Sequence, residues 1–271
     1  VSGWQAGVGE QRGADPVEIE NSDLIIVWGG NPVHTNVNLM KHIQKARKSN
    51  GAKLVVVDVY RTSTMAAADF GFVLNPGTDG ALACAMMQVI LAEGIADEAF
   101  LAELTDFDED VRAHLAERTP EWAAKITGIG AADIRDFARL YGRTAKSFLR
   151  LGVGFTRSRN GASNMHAVSC LPAITGAWRH KGGGAFFASF DIWGLDTTLA
   201  HASDCTENVT RVLDQSRIGA ILCGDKDALA GGPPVTAMLI QNSNTALVAP
   251  DSATVRRGLA REDLFISVHE H

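Results

Sequence analysis

The sequence has no closely spaced cysteines, no excess of positive charge and no long hydrophobic run. Its four cysteines include no CxxC pair, which argues against a structural zinc site or an iron–sulfur cluster within this chain. The 25 lysines and arginines are outnumbered by 31 aspartates and glutamates, so nucleic acid is not the expected partner. No apolar segment approaches the twenty or so residues of a membrane helix, and no signal-peptide pattern is visible.

The cysteines are therefore predicted to be buried free thiols, because each lies in an apolar or mixed segment. They are Cys84, Cys170, Cys205 and Cys223. The eight histidines form no cluster with metal-ligand spacing, and no metal ligand is predicted in the chain. With 46% hydrophobic and 21% charged residues, the composition is that of a globular protein. The length allows one large domain or two of modest size.

The stretch "SDLIIVWGGNP" is an apolar run that stops at two glycines, an asparagine and a proline. Residues 24–28 are branched and apolar, which predicts a buried strand of a parallel sheet. Residues 36–49 have the periodicity of an amphipathic helix, and Gly51 follows where a left-handed residue would end it. A second apolar run, 53–57, ends at Asp58. Strand, helix and strand in this order predict a βαβ unit.

The glycines after the first strand leave two interpretations open. Gly29 and Gly30 allow a sharp turn and the close approach of a ligand at the edge where open α/β sheets bind ligands. Asp58 lies where an acidic residue can bind the hydroxyls of a ribose. The stretch is then a nucleotide cradle, although the GxGxxG fingerprint of dinucleotide-binding proteins is missing. The alternative is a plain turn between strand and helix, with no ligand.

A third loop has similar chemistry. Residues 69–74 can form a short strand that leads into "NPGTDGALACAMMQVILAEG". Thr78 or Asp79 can cap a helix that is apolar nearly all round and hence buried. The helix start after Pro76 and Gly77 can bind an anion or can be an ordinary capped end. Residues 97–145 are charged and helical, and are predicted to cover the sheet.

The second half of the chain repeats parts of the first. Residues 147–153 begin a new strand, followed by a glycine-rich loop in which Arg157 and Arg159 are the best candidates for binding an anion. Two further buried strands are predicted at 237–240 and 264–268, the first followed by "QNSNT". The similar spacing predicts an internal repeat of two βαβ halves, and thus two similar nucleotide sites.

The predicted fold class is α/β, with two Rossmann-like three-layer domains that contain mainly parallel sheets and are related as an internal repeat. Residues 1–22 form a lead-in segment, 23–146 the first dinucleotide-binding domain, and 147–271 the second.

Five motifs, in order, resemble those of the molybdopterin oxidoreductases of the dimethyl sulfoxide reductase family. They are "SDLIIVWGGNP", "DVYRTSTMAAADFGFVLNPGTDGALA", "RLGVGFTRSRNG", "LPAITGAWRHKGGG" and "IQNSNTALVAPDSATVRRGLAREDLFISVHE". The resemblance implies a bis(molybdopterin guanine dinucleotide) cofactor that holds one molybdenum or tungsten. It also implies a small-molecule substrate, two-electron or oxygen-atom transfer, and a partner subunit for electron transfer.

The resemblance assigns residues to the two dinucleotides by position. The first would be wrapped by Trp28, Gly29, Gly30, Asn31, Pro32 and Thr35. Its guanosine end would contact Asp58, Arg61, Thr62, Gly77, Thr78 and Asp79. Between the domains, Gly154, Thr156 and Arg157 would approach the cofactor. The second dinucleotide would contact Asn242, Asn244 and Ser267.

The chain also departs from the family pattern. Members are much longer, and the metal-ligating side chain and any iron–sulfur cluster would precede Val1. The sequence is therefore interpreted as a central fragment, inactive by itself. The alternative keeps the fold without the metal, as in the large peripheral subunit of respiratory NADH dehydrogenase, which is a scaffold for clusters and partners. A nicotinamide dehydrogenase is disfavoured by the missing GxGxxG.

Overall fold

The computed structural model describes residues 1–188, 196, 198 and 211–269. The chain divides into two compact units, Val1–Leu195 and Asp196–His271. The fourth cysteine, Cys205, lies outside the described residues. Within the described part, no helix is long and apolar enough to cross a membrane.

The first unit is built on a sheet of five parallel strands, in the order β3-β2-β1-β4-β5. The strands are β1 Leu24–Trp28, β2 Lys53–Asp58, β3 Phe70–Val73, β4 Ser147–Leu151 and β5 Gly184–Phe186. The α-helices are α1 Ser2–Val8, α2 Pro32–Thr35, α3 Val37–Asn50, α4 Ser63–Ala66, α5 Asp79–Ala92, α6 Glu98–Leu104, α7 Glu109–Ala116, α8 Pro120–Thr127, α9 Ala131–Gly142, α10 Gly161–Ser169 and α11 Leu171–Ile174. Short 3-10 helices lie at Pro16–Asn21, Gly154–Thr156 and Ala177–Arg179.

Strand β1 is buried on both faces, which explains its uninterrupted apolar sequence. Its even-numbered residues join the core formed with α5, α9 and α10, and Ile25 and Val27 join the core formed with α3. The sheet is therefore covered by helices on both sides, and the prediction of a three-layer α/β fold is confirmed for this unit.

The first βαβ unit forms for the local reasons the sequence indicates. The Asn36 side chain accepts a hydrogen bond from the Leu39 amide at 3.3 Å and caps α3. Gly51 ends the helix in the left-handed conformation, with φ of 68°. Helix α5 begins after Thr78 and is buried along most of its length, as its apolar sequence predicts.

The predicted domain boundary between residues 146 and 147 does not match the structure. Strand β4 pairs with β1 in parallel along its whole length, from Leu24 opposite Ser147 to Trp28 opposite Leu151. The lead-in segment 1–22 also belongs to the first unit, where Trp4 is buried in the core. The chain divides after Leu195, because the sheet of the first unit takes its last two strands from the segment assigned to the second domain.

The second unit contains a parallel pair of strands, β6 Ala237–Gln241 and β7 Phe265–His269. Its described α-helices are α12 Ile218–Leu222, α13 Thr245–Val248 and α14 Ser252–Leu259. The prediction of two buried strands is wrong, since only Ile240 is buried in β6 and Phe265 of β7 is 70% exposed. Both units contain a strand, a four-residue helix, a longer helix and a parallel strand in that order, and the internal repeat stays a prediction.

Candidate functional site

The order of the strands reverses between β1 and β4. Chain direction leads from β1 to β2 and β3 on one side of the sheet, whereas β4 and β5 lie on the other side. The connections after β1 and β4 consequently lead to helices on opposite faces of the sheet, namely α3 and α10. A crevice lies between these connections at the carboxyl edge. Open α/β sheets bind their ligands at such a switch point.

Close backbone contact between the two diverging loops explains their glycines. The Gly152 amide donates to the Trp28 carbonyl at 2.8 Å, and the Gly154 amide donates to the Gly29 carbonyl at 3.1 Å. A Cβ atom on Gly152 would lie 2.0 Å from the Gly29 oxygen. Gly29 itself has φ of 63° and faces the Phe155 ring. The loops after β1 and β4 can approach so closely only because these positions carry no side chain.

A cavity of about 290 Å³ lies at this switch point. Its lining comes from the ends of β1 and β4, from the segments that follow them and from the residue after β5: Val27, Gly29, Gly30, Asn31, Pro32, Thr35, Asn36, Arg150, Leu151, Gly152, Val153 and Phe187. Five residues predicted to wrap the first dinucleotide are therefore brought together, namely Gly29, Gly30, Asn31, Pro32 and Thr35. The volume suits a phosphate or sugar portion of a larger ligand.

The loop after β2 is fastened to the loop after β1. The Thr64 hydroxyl donates to the Asn31 side chain at 2.7 Å, and the Thr64 amide donates to the same oxygen at 3.3 Å. Thr62 is buried and caps α4 through the Met65 amide at 3.1 Å. The side chain of Asn31, which lines the cavity, is thus fixed by hydrogen bonds from the neighbouring loop.

Arg150 is the charged side chain of this cavity. It lies near the end of β4, paired in register with Val27 and Phe186 of the neighbouring strands. Its Nη1 donates to the carbonyls of Leu151 and of Phe187, the latter at 3.2 Å, and its guanidinium lies 5.1 Å from the Phe186 ring centroid. Burial lowers the pKa of Arg150 from its ordinary value.

Two residues predicted to contact the cofactor face the core. Trp28 is fully buried, and its Nε1 donates to Asp79 Oδ1 at 2.8 Å. Asp79 is 1% exposed, and its Oδ2 has no hydrogen-bond partner among the described residues. Burial raises the pKa of Asp79 to about 6, with a smaller contribution from the charge of Asp58 in the same direction. The pair ties β1 to the first turn of α5, so a contact between Trp28 and a ligand would have to come from its backbone.

The loop before α5 is tied to the loop after β4. Asn160 Nδ2 donates to the Gly77 carbonyl at 2.8 Å, and the buried Asn164 accepts from the Gly80 amide at 3.1 Å. Thr78 turns back to its own loop and donates to the Asn75 carbonyl at 2.6 Å. The structure therefore brings the predicted guanosine-end residues Gly77 to Asp79 next to the segment that contains Thr156 and Arg157.

The remaining predicted residues of the first unit lie at the surface of the same edge. Asp58 is half-buried at the end of β2, and burial raises its pKa despite a hydrogen bond from the Val59 amide. Arg61 and Arg157 are exposed. Thr156 donates to the Val153 carbonyl at 2.8 Å, within the loop after β4.

Of the predicted residues of the second unit, Asn242 and Asn244 lie at the carboxyl edge of its own sheet, and Ser267 lies in the middle of β7. Asn242 follows β6 with a left-handed φ of 51°, and its amide donates to the His269 carbonyl at 3.0 Å. Asn244 immediately precedes α13. Ser267 Oγ lies 3.0 Å from His269 Nε2. Nothing in the described residues of the unit assigns them a ligand.

Sequence reasoning missed Arg150 and emphasised Arg157 and Arg159, which are exposed. A usable signal was present, because Arg150 is a charged residue inside an otherwise apolar central strand, "SFLRL". A charged position inside a central strand is more informative than charges in a surface loop. Within the described residues, no group of histidine, cysteine, aspartate and glutamate could hold a metal ion.

Comparisons with known proteins identify the family of the chain. The family model for molybdopterin oxidoreductase matches residues 4–271. The chain is 39% identical over 269 residues to the probable oxidoreductase YoaE of Bacillus subtilis. The aligned residues make up 99% of this chain and 38% of that protein. It is 33% identical to formate dehydrogenase H of Escherichia coli over 65% of this chain and 25% of that protein.

Dimethyl sulfoxide reductase DmsA of Escherichia coli is 31% identical over 63% of this chain and 24% of that protein. Among solved structures, acetylene hydratase from Pelobacter acetylenicus superposes with a TM-score of 0.74 at 20% identity, over 98% of this chain and 41% of that one. At this low identity, the similarity to acetylene hydratase shows a shared fold and nothing more. The chain spans less than half the length of these relatives, and it belongs to the molybdopterin oxidoreductase family.

Proposed function

We propose that the protein carrying this chain is a molybdopterin-dependent oxidoreductase, and that the carboxyl edge of the five-stranded sheet binds one guanine dinucleotide of a bis(molybdopterin guanine dinucleotide) cofactor. The observation that carries this proposal is the cavity at the switch point. It is bounded by glycine loops that admit a ligand to the backbone, and it is lined by the half-buried Arg150.

The residues present suit a phosphate-bearing group. Gly30 lines the cavity without a side chain to fill it, the Asn31 side chain is held in place, and Arg150 offers positive charge. Loops from all of the first four strands meet near this edge, so the guanosine end has a polar surface that includes Asp58 and Gly77. The second dinucleotide is assigned to Asn242, Asn244 and Ser267 of the second unit.

When bound, the cofactor with its molybdenum or tungsten supplies two-electron or oxygen-atom transfer to a small substrate. The role of the chain is to bind and orient the cofactor. We further propose an electron-transfer subunit as partner, by analogy with dimethyl sulfoxide reductase and formate dehydrogenase.

The test is the composition of the purified full-length protein. Acid hydrolysis is expected to release GMP, and elemental analysis is expected to find molybdenum or tungsten, in a ratio of about two GMP per metal ion. A protein without metal and without GMP would support the metal-free scaffold instead and overturn the proposal.

A further inference from the structure

Arg150 is a half-buried cation with unused hydrogen-bonding capacity. A guanidinium carries five N–H donors, and Nη1 uses its two on the Leu151 and Phe187 carbonyls. Nε and Nη2 have no hydrogen-bond partner among the described residues. Both atoms are accessible from outside the protein, because neither is one of the fully buried polar atoms without a hydrogen-bond partner in the described structure. These donors therefore remain open to the cavity that Arg150 lines.

No carboxylate in the described part of the chain lies within ion-pair distance of Arg150. A charge that is largely removed from water normally has a paired counter-charge, because its desolvation is otherwise uncompensated. The carbonyls and the Phe186 ring provide only partial negative charge. The guanidinium cannot lose its proton in a protein, so its positive charge has no neutralising side chain among the described residues.

The position of Arg150 in the sheet shows which way its side chain points. Phe148 and Arg150 lie on the same face of β4, and Phe148 belongs to the core formed with α3. Arg150 is two residues nearer the carboxyl edge, where the core gives way to the cavity. Its neighbours across the sheet, Val27 and Phe186, leave it without a polar partner on that face.

We propose that Arg150 is an anion-binding residue, and that its Nε and Nη2 donate to a phosphate group of the nucleotide portion of the cofactor. This inference rests on the proposed function. A planar guanidinium can bind two phosphate oxygens at once, which fixes the orientation of the phosphate as well as its position.

The experiment uses full-length protein made without cofactor, titrated calorimetrically with GDP and with inorganic pyrophosphate at fixed ionic strength. Arg150→Met removes the charge, and Arg150→Gln removes it while retaining an amide donor for the Phe187 carbonyl. The control is Arg139→Met, since Arg139 is a partly exposed arginine of α9 that pairs with Glu93. Both Arg150 variants are expected to bind the two probes roughly ten- to a hundredfold more weakly, as for the loss of charged hydrogen bonds. The Arg139 variant is expected to bind like the wild type.

Wild-type affinity in Arg150→Gln would overturn the inference, and this variant decides the question if Arg150→Met does not fold. If the wild type binds neither probe, the inference is also overturned. Arg150-dependent binding of pyrophosphate in a protein that contains no GMP would leave the anion site standing and reject the proposed function. If GDP binds equally well to the wild type and to the Arg150 variants, the proposed function stands and the role of Arg150 is rejected.

Discussion

At the scale of single residues, the glycines of the two diverging loops are not equivalent. Gly152 cannot accept a methyl group, since three backbone atoms of Gly29 and Gly30 lie within 2.8 Å of the position of its Cβ. Gly30 lines the cavity, and the nearest atom to its Cβ position is 3.5 Å away. Gly152 is therefore needed for the close contact of the loops, whereas Gly30 leaves space in the cavity for a ligand.

We therefore expect Gly152→Ala to lower the free energy of unfolding by about 3 kcal/mol, because the loops after β1 and β4 must separate. Gly30→Ala is the matched control and is expected to change it by less than about 1 kcal/mol. Urea unfolding of both variants measures the difference. Equal stability of the two would show that the close contact of the loops is not required.

Asp79 makes the stability of the fold depend on pH. Burial raises its pKa from 3.8 to about 6, so the folded state binds the proton more tightly than the unfolded state. Its stabilising contribution is full below about pH 4 and is lost as the pH rises through about 6. At pH 8 the buried carboxylate then costs roughly 2–3 kcal/mol relative to the protonated form.

Asp79→Asn should remove this dependence, since the amide oxygen still accepts from Trp28 without a charge. The gain in stability of the variant over the wild type should grow between pH 4 and pH 6 and then level off. Urea unfolding at a series of pH values measures it, with Asp23→Asn, at an exposed aspartate, as the control. A difference that does not vary with pH would contradict the raised pKa.

At the scale of elements, the first turn of α5 is held by a buried asparagine of α10. Asn164 is 2% exposed and accepts from the Gly80 amide, whereas Asn160 is exposed and donates to the Gly77 carbonyl. We expect Asn164→Leu to cost about 1–3 kcal/mol of unfolding free energy, because a backbone donor loses its acceptor in a part-buried setting.

Asn160→Leu is the comparison, and it should cost less than about 1 kcal/mol because water can replace its hydrogen bond. Chemical unfolding of the two variants tests the difference. If Asn160→Leu proved the more damaging change, the loop would depend on its surface contacts instead.

The same scale shows what the sequence could predict. Strands β1 and β2 and helices α3 and α5 follow from periodicity, caps and burial, which are local properties. The partner of β4 is not local, because Ser147 pairs with Leu24 across a long stretch of helices. The exposed β6 and β7 have apolar sequences like those of buried strands, so composition alone could not separate the two cases.

The candidate site was predictable to a similar extent. The glycine loops that line the cavity were identified from turn chemistry, and their meeting at the switch point follows once the sheet is known. The inward direction of Trp28 and Asp79 depends on packing between distant segments. So does the lack of a carboxylate partner for Arg150 among the described residues. A sequence pattern does not contain that information.

At the scale of the whole molecule, the chain is two compact units, each with a carboxyl sheet edge of its own. The central claim is that the edge between β1 and β4 receives a guanine nucleotide. Hydrogen exchange followed by mass spectrometry, on full-length protein made without cofactor, tests it most directly.

With saturating GDP, peptides that cover residues 29–36 and 150–153 are expected to exchange several-fold more slowly. Peptides from α7 and α8, which lie away from the cavity lining, should be unchanged. Protection confined to other segments, or no protection at all, would contradict the claim that this edge binds the nucleotide.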